Sequence, residues 1–212
     1  MQSAEIELKF PISNLAQLEA RLPSLGFVLE TPRTFEQNTL YDTPGRALQE
    51  AKQLLRIRRY GDVWTMTHKR RPDGGGAGEM KGTAARYKVR IETETHVDDG
   101  VALAAIFEQL GYAPVFRYEK FRTEWSQGGA DLSDGASRHL VIDETAIGNY
   151  AELEGPPEWI DATIARLGVD PASCITDSYG RLFLAWKQRT GSACANLTFD
   201  EVRAVGLEPV VR

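Results

Sequence analysis

The sequence predicts an α+β fold: a closed or nearly closed eight-stranded antiparallel β-barrel with helices packed outside. Short segments repeatedly alternate charged and apolar residues, as in Glu5-Ile6-Glu7-Leu8-Lys9, and this period of two is that of a β-strand. Eight short strand segments with tight turns, of which about six show this alternation, favour a sheet that closes on itself. Charges of both signs recur on one face of strand after strand, which indicates a polar interior.

The bulk composition describes an ordinary globular chain. Its 212 residues suffice for one sizeable domain or two small ones, and 42% of them are hydrophobic. We find no apolar run near the roughly 20 residues that span a membrane, and no signal-peptide core. Cys174 and Cys194 match no metal or redox spacing. These features predict a cytoplasmic protein without a membrane partner; a homodimer is compatible with them.

The elements follow in order along the chain. Four segments carry apolar residues at helical spacing: 14–22, 99–110, 157–167 and 178–187. The eight strand segments are 4–10, 35–41, 54–60, 63–69, 86–95, 116–125, 139–145 and 150–154. Residues 72–82 and 127–137 have the composition of loops. We therefore expect one domain over 1–189 and a tail over 190–212, of unknown role, with a short helix around 200–205.

The order of these elements also suggests an internal duplication. A strand, a helix, the tripeptide Leu25-Gly26-Phe27 and three strands are followed by a strand, a helix, Leu110-Gly111-Tyr112 and three more strands. The hypothesis requires that the two halves have the same strand order.

The charged faces decide what the barrel interior contains. Removing one ion from water costs several kcal/mol, so more than a dozen buried charges would overwhelm a marginally stable fold unless the lumen is wet or holds a charged ligand. Lysine and arginine bind phosphate oxygens, and carboxylates bind hard divalent cations that bridge phosphates. A net charge of −5 argues against nucleic acid as the partner. The interior therefore predicts a small, metal-bound polyphosphate.

At this point the motifs resemble those of a known family, the CYTH superfamily or triphosphate tunnel metalloenzymes, over residues 4–187. Its members include small bacterial adenylate cyclases (class IV), thiamine triphosphatases and inorganic triphosphatases. The matching segments are Glu5-x-Glu7-x-Lys9, 38–43 (NTLYDT), Arg56-x-Arg58, Thr67-x-Lys69, Lys88-x-Arg90-x-Glu92, Lys120-x-Arg122, Asp143, Glu152-x-Glu154 and Ser178-Tyr179.

The resemblance implies a role for each matched position. The metal ligands, for Mg²⁺ or Mn²⁺, would be Glu5, Glu7, Asp143, Glu152 and Glu154. The triphosphate would be held by Lys9, Arg56, Arg58, Lys69, Lys88, Arg90, Lys120 and Arg122. Glu5 and Glu7 would also help to orient the attacking water. A carboxylate is the default general base, and Lys88, crowded by Arg90, is the second choice.

Three functions share this set of residues. Metal-dependent hydrolysis of a triphosphate, inorganic triphosphate first, is the expected activity. The first alternative is a class IV adenylate cyclase, which would need a nucleoside pocket and would release cyclic AMP and pyrophosphate. The second is a polyphosphate-binding module without catalysis, against which the full carboxylate set argues. An organic triphosphate would need an aromatic platform such as Trp64 or Trp125, although core packing is the expected role of both.

Overall fold

The computed structural model describes residues 2–72, 86–128 and 137–206, and its strands form one closed antiparallel barrel. The order around the barrel is β1-β5-β4-β3-β2-β6-β7-β8, and β8 pairs with β1 to close it. The predicted fold class is confirmed. Most of the two predicted loops, at 72–82 and 127–137, lies outside the described residues. The strands are β1 Gln2–Ile12, β2 Phe27–Asp42, β3 Leu54–Tyr60, β4 Val63–Arg70, β5 Lys88–Val97, β6 Ala113–Gln127, β7 His139–Thr145 and β8 Gly148–Glu154.

The four predicted helices are present. The side chain of Asn14 accepts a hydrogen bond from the Gln17 amide at the start of α1, and Asp99 caps α3 in the same way. The helices are α1 Leu15–Arg21, α2 Ala47–Glu50, α3 Gly100–Gln109, α4 Pro157–Leu167, α5 Tyr179–Thr190 and α6 Phe199–Ala204. The sequence did not predict α2, whose first turn is held by the Asp42 carboxylate. Within the described residues, no helix has the length and apolar character needed to cross a membrane.

The apolar core lies between the outer face of the barrel and the helices. Leu8, Leu140 and Leu153 are buried against α4, whose Ile160 and Ile164 are also buried. A second cluster joins α3 to β2 and β3, and a third joins α5 and α6 to β6. Each buried side chain of this size contributes roughly 1.5–3 kcal/mol to folding. Because the apolar strand faces point outward to the helices, the charged faces point into the barrel.

The described part of the C-terminal tail packs against the barrel. Leu197 is fully buried, and its backbone exchanges hydrogen bonds with Arg117 and Glu119 of β6. The side chain of Glu201 accepts hydrogen bonds from the amides of Ala195 and Asn196 and so fixes the segment before α6. The tail helix was predicted at this place, and the domain boundary after residue 189 stays a prediction.

The strand order satisfies the condition set by the predicted duplication. Exchanging β1–β4 with β5–β8 reproduces every pair of neighbours in the barrel, because β1 pairs with β5 and β2 pairs with β6. The N-caps Asn14 and Asp99 occupy corresponding places in the two halves. In strand order, the two halves are thus related by a two-fold symmetry that exchanges β1 with β5 and β2 with β6.

Candidate active site

The inner faces of the strands enclose a cavity of about 770 Å³. All eight strands contribute to its lining, and the N-terminus of α5 adds Ser178, Tyr179 and Gly180. Most of the lining side chains are charged, as the alternation of the strands predicts. The volume is in the range of small-molecule sites. Most of the charged residues fall into three groups, which differ in burial and in partners; Glu5 and Glu7 belong to two of them.

The first group, the acidic cluster, consists of Glu5, Glu7 and Glu154. One carboxylate oxygen from each lies within 4.8 Å of the other two. Glu7 and Glu154 are paired across β1 and β8, and Glu5 follows on the same face of β1. In the part of the chain that the structure describes, the Glu154 carboxylate has no hydrogen-bond or ion-pair partner. Burial, together with the nearby Glu5 carboxylate, raises the pKa of Glu154 to about 8.

The acidic cluster fits a divalent cation of the Mg²⁺ or Mn²⁺ type. Such ions prefer carboxylate oxygens, and here three converge, one of them without a cationic partner in the described residues. Two of the predicted ligands, Asp143 and Glu152, lie outside this cluster and contact cations instead. The structure therefore brings together Glu5, Glu7 and Glu154 from the predicted set of five.

The second group, the open wall, spans the neighbouring strands β1, β5, β4 and β3. Lys69 Nζ lies 2.7 Å from a Glu5 oxygen and 2.8 Å from a Glu92 oxygen. Lys88 Nζ lies 2.5 Å from a Glu7 oxygen. The cations of this wall are therefore paired with carboxylates, two of which belong to the acidic cluster. Its members are Glu5, Glu7, Arg56, Arg58, Lys69, Lys88, Glu92 and Glu94.

The two arginines of the open wall have partners outside the acidic cluster. Arg58 donates to Glu94 at 3.1 Å and to the Thr65 hydroxyl. Arg56 donates to the hydroxyls of Thr67 and Tyr118, and its Nε is buried without a hydrogen-bond partner among the described residues. An unpartnered buried donor is destabilising, so Arg56 has unused capacity for an anion in the cavity.

The third group, the buried network, joins β1, β2, β6, β7, β8 and α5. Asp143 is fully buried and accepts hydrogen bonds from Lys120, Arg122 and the Tyr179 hydroxyl at 2.6–2.9 Å. Arg122 also contacts Glu152 at 2.9 Å, and the same carboxylate lies 2.8 Å from Lys9. The members of this network are Lys9, Glu36, Lys120, Arg122, Asp143, Glu152 and Tyr179.

Burial and charge act against each other in the buried network. Burial alone would raise the pKa of Glu36, but Lys120 and Arg122 outweigh it and lower that pKa to about 2. The pKa of Glu152 is likewise held well below its ordinary value by Lys9 and Arg122, in spite of burial. Burial and the Asp143 carboxylate raise the pKa of the Tyr179 hydroxyl. These carboxylates are therefore ionised and the tyrosine neutral at pH 7.

One predicted substrate-binding residue, Arg90, has a different hydrogen-bond partner from the others. It is paired with Glu5 across β1 and β5, on the strand face of Lys88 and Glu92, but its guanidinium donates to the Val89 carbonyl. Burial, with Arg71 nearby, lowers the pKa of Arg90. The remaining predicted cations, Lys9, Arg56, Arg58, Lys69, Lys88, Lys120 and Arg122, all line the cavity.

Sequence reasoning missed Glu36, Asn38, Tyr118 and Tyr179 as interior residues. Glu36 and Asn38 are buried on the inner face of β2, where Asn38 donates to Glu36. The alternation of β2 places Glu36 and Asn38 on one strand face, but the apolar Leu40 lies on the same face, so the sequence does not show a clearly polar face there. Tyr179 is the first residue of α5, and the apolar spacing that predicts the helix does not show where its first residue points.

The comparison with known families decides the fold family. The CYTH domain matches residues 3–160. The chain belongs to the CYTH family. The resemblance inferred from the motifs is thus confirmed. No curated protein matches the chain in a sequence comparison.

Solved structures give the same architecture at low sequence identity. A proposed adenylate cyclase from Vibrio parahaemolyticus is 18% identical, with a TM-score of 0.64 over 85% of this chain and 97% of the other. Protein PH1819 from Pyrococcus horikoshii is 20% identical, with a TM-score of 0.62 over 86% and 99%. A proposed adenylyl cyclase from Hippeastrum, described as having a dominant triphosphatase activity, is 16% identical, with a TM-score of 0.58 over 88% and 96%. These likenesses show a shared CYTH fold.

Proposed function

We propose that this CYTH protein is a metal-dependent triphosphatase that removes the terminal phosphoryl group of a triphosphate, with inorganic triphosphate as the first substrate to test. The observation that supports this proposal is the placement of the acidic cluster and the open-wall cations in one cavity. Phosphoryl transfer needs little covalent chemistry from a protein. It needs positioned cations and metal ions that neutralise charge as the bond breaks, and this cavity carries residues for both.

The roles that we propose follow the partners of each residue. Glu5, Glu7 and Glu154 would hold Mg²⁺ or Mn²⁺. When bound there, the cation supplies neutralising charge and acidifies a water. Arg56, Arg58, Lys69 and Lys88 would hold the phosphates. Asp143 and Glu152, which the motifs proposed as metal ligands, would instead fix Lys9, Lys120 and Arg122 in place. The general base would be a carboxylate of the acidic cluster, with Lys88 as the second choice.

A second candidate is the cyclisation of ATP. The observation that favours it is the apolar group formed by Leu40, Leu54 and Phe116, which lines the cavity next to Arg56 and offers a surface for a nucleoside. Trp64 and Trp125 do not supply such a surface: Trp64 packs around Gly100 of α3, and Trp125 lies in the core beneath α4. The cytoplasmic location and the homodimer remain predictions from the sequence.

The deciding experiment is product analysis on inorganic triphosphate, ATP and thiamine triphosphate, with Mg²⁺ or Mn²⁺. We expect orthophosphate, and we expect Glu5→Ala with Glu7→Ala to reduce its release at least a thousandfold. Glu154→Gln is the gentler variant, because this side chain has no described partner to lose, and it should raise the metal concentration needed for half-maximal rate. Cyclic AMP with pyrophosphate would establish the cyclase. Tight triphosphate binding without turnover would favour the alternative of a polyphosphate-binding module without catalysis.

A further inference from the structure

Two lysines of the open wall contact the carboxylates that we assign to the metal. Lys88 Nζ is 2.5 Å from Glu7, and Lys69 Nζ is 2.7 Å from Glu5. The register of β1 and β5 sets the first contact, because Glu7 and Lys88 are directly paired across these strands. The lysines that we assign to the phosphates are therefore in ion pairs with the carboxylates that we assign to the metal ion.

These contacts make the open wall a poor anion site before a cation is present. The four carboxylates of the open wall balance its four cations, so the wall has no net positive charge with which to attract a phosphate. Each lysine also loses attraction for phosphate while a carboxylate neutralises it at contact distance. A divalent cation on Glu5 and Glu7 would neutralise these carboxylates and repel the ammonium groups of Lys69 and Lys88. The wall would then carry a net positive charge, and its lysines would be available to phosphate.

We propose that Glu7 and Glu5 release Lys88 and Lys69 to the phosphates when they exchange these ammonium groups for a divalent cation, so that the cavity takes triphosphate as its metal complex and discriminates against the free anion. This inference rests on the proposed function, since it uses the same cavity. It adds a competition between the two lysines and the divalent cation for the carboxylates of Glu5 and Glu7. This competition links binding of the metal ion to binding of the triphosphate.

Lys88 and Lys69 differ in how completely a divalent cation on Glu5 and Glu7 would free them from carboxylate partners. Among the described residues, the carboxylate partner of Lys88 is Glu7 alone. Lys69 is shared between Glu5 and Glu92, and Glu92 lies outside the acidic cluster. Lys69 therefore keeps a partner after the exchange, and Lys88 does not. Most of the link between metal and phosphate should pass through Lys88.

The test measures binding of imidotriphosphate, whose bridging nitrogens resist hydrolysis, by calorimetry in EDTA or in saturating Mn²⁺. A hydrogen bond to a charged group corresponds to roughly tenfold or more in affinity. We expect Lys88→Met to weaken binding at least about tenfold with Mn²⁺ and less than about twofold in EDTA. In the Glu7→Gln background, where Lys88 has lost its carboxylate, the same substitution should weaken binding about tenfold in EDTA.

Arg58→Gln is the matched control, because its partner Glu94 is outside the acidic cluster. It should weaken imidotriphosphate binding by the same factor with and without Mn²⁺. Coupling is reciprocal, so Lys88→Met should also tighten Mn²⁺ binding in the absence of any phosphate. An equal cost of Lys88→Met in all three conditions, or unchanged Mn²⁺ affinity, would overturn the exchange. Orthophosphate release from inorganic triphosphate tests the proposed function separately, because hydrolysis does not require that the lysine be sequestered beforehand.

Discussion

The buried network and the open wall use the same residue types on the same barrel, yet they hold them differently. Lys9 and Lys120 expose 2% and 3% of their side chains, whereas Lys69 and Lys88 expose 17% and 18%. Asp143 accepts hydrogen bonds from three side chains, whereas Glu7 accepts one from Lys88. One side of the cavity is a closed set of ion pairs, and the other presents pairs that an incoming ligand can separate.

This difference shows that the number of partners, more than residue type, separates structural charges from functional ones. A buried charge is tolerated only when good geometry and further hydrogen bonds offset its desolvation, and Asp143 meets this condition. The lysines of the open wall are less completely buried and their carboxylates have fewer partners, so separating these pairs costs less than separating those of the buried network. The buried network therefore gives the barrel a fixed shape, against which the open wall can change partners.

The largest expected effect comes from removing the centre of the buried network. Asp143→Ala leaves Lys120 and Arg122 without their shared carboxylate and should lower the free energy of unfolding by roughly 3–5 kcal/mol. Urea unfolding monitored by tryptophan fluorescence measures this change. Glu92→Ala is the matched control on the open wall. Since Lys69 keeps Glu5 and Arg56 keeps Glu94, this substitution should cost only about 1–2 kcal/mol. An equal loss of unfolding free energy in Asp143→Ala and Glu92→Ala would contradict the proposed difference between the buried network and the open wall.

The strands and the inward charges were predictable because both depend on period two. Each of the eight predicted strands is present, and the inner faces are those with the charged parity. The ends of the strands were less predictable: β2 begins at Phe27, eight residues before the predicted segment, because its first part pairs with β6 across irregular register shifts. Alternation shows that a residue is in a strand, and only the pairing partner shows how far the strand extends.

The division of the charges into the acidic cluster, the open wall and the buried network could not be predicted from the sequence. Glu152 and Glu154 have the same type and parity, but Glu152 meets Lys9 and Arg122 while Glu154 joins Glu5 and Glu7. Which partner a carboxylate meets depends on the register between strands that are distant in the sequence, and motif spacing within one strand carries no such information. Tyr179 illustrates the same limit, because it reaches Asp143 only through the position of α5 over the barrel.

A second prediction concerns the pH dependence that the buried network confers. Glu36 has a folded-state pKa of about 2, below its ordinary value of 4.5, so its contribution to stability is complete above pH 4.5 and is lost as the pH falls toward 2. Compared with Glu36→Gln, the wild type should therefore lose roughly 2 kcal/mol of its relative stability between pH 6 and pH 3. Urea unfolding of both proteins at pH 6, 4 and 3 gives the difference directly. A difference that stays constant down to pH 3 would show that Lys120 and Arg122 do not hold this carboxylate ionised.

The smallest expected effect tests whether the buried network influences metal binding at the acidic cluster. Tyr179 donates its hydroxyl to Asp143, and its ring lies 4.3 Å from Lys9 Nζ and 5.1 Å from Lys120 Nζ. Tyr179→Phe removes the hydroxyl and keeps the ring, so it should cost about 1 kcal/mol of stability, because Asp143 still has Lys120 and Arg122.

Tyr179→Leu should cost more, since the ring contacts with both lysines are also lost. Neither variant touches the acidic cluster, so Mn²⁺ affinity measured by calorimetry should stay within about twofold of the wild type. A tenfold loss of Mn²⁺ affinity in Tyr179→Phe would mean that α5 and the buried network control the metal site. The barrel interior would then act as one cooperative unit, because a hydroxyl contacting only Asp143 would be felt at Glu5, Glu7 and Glu154.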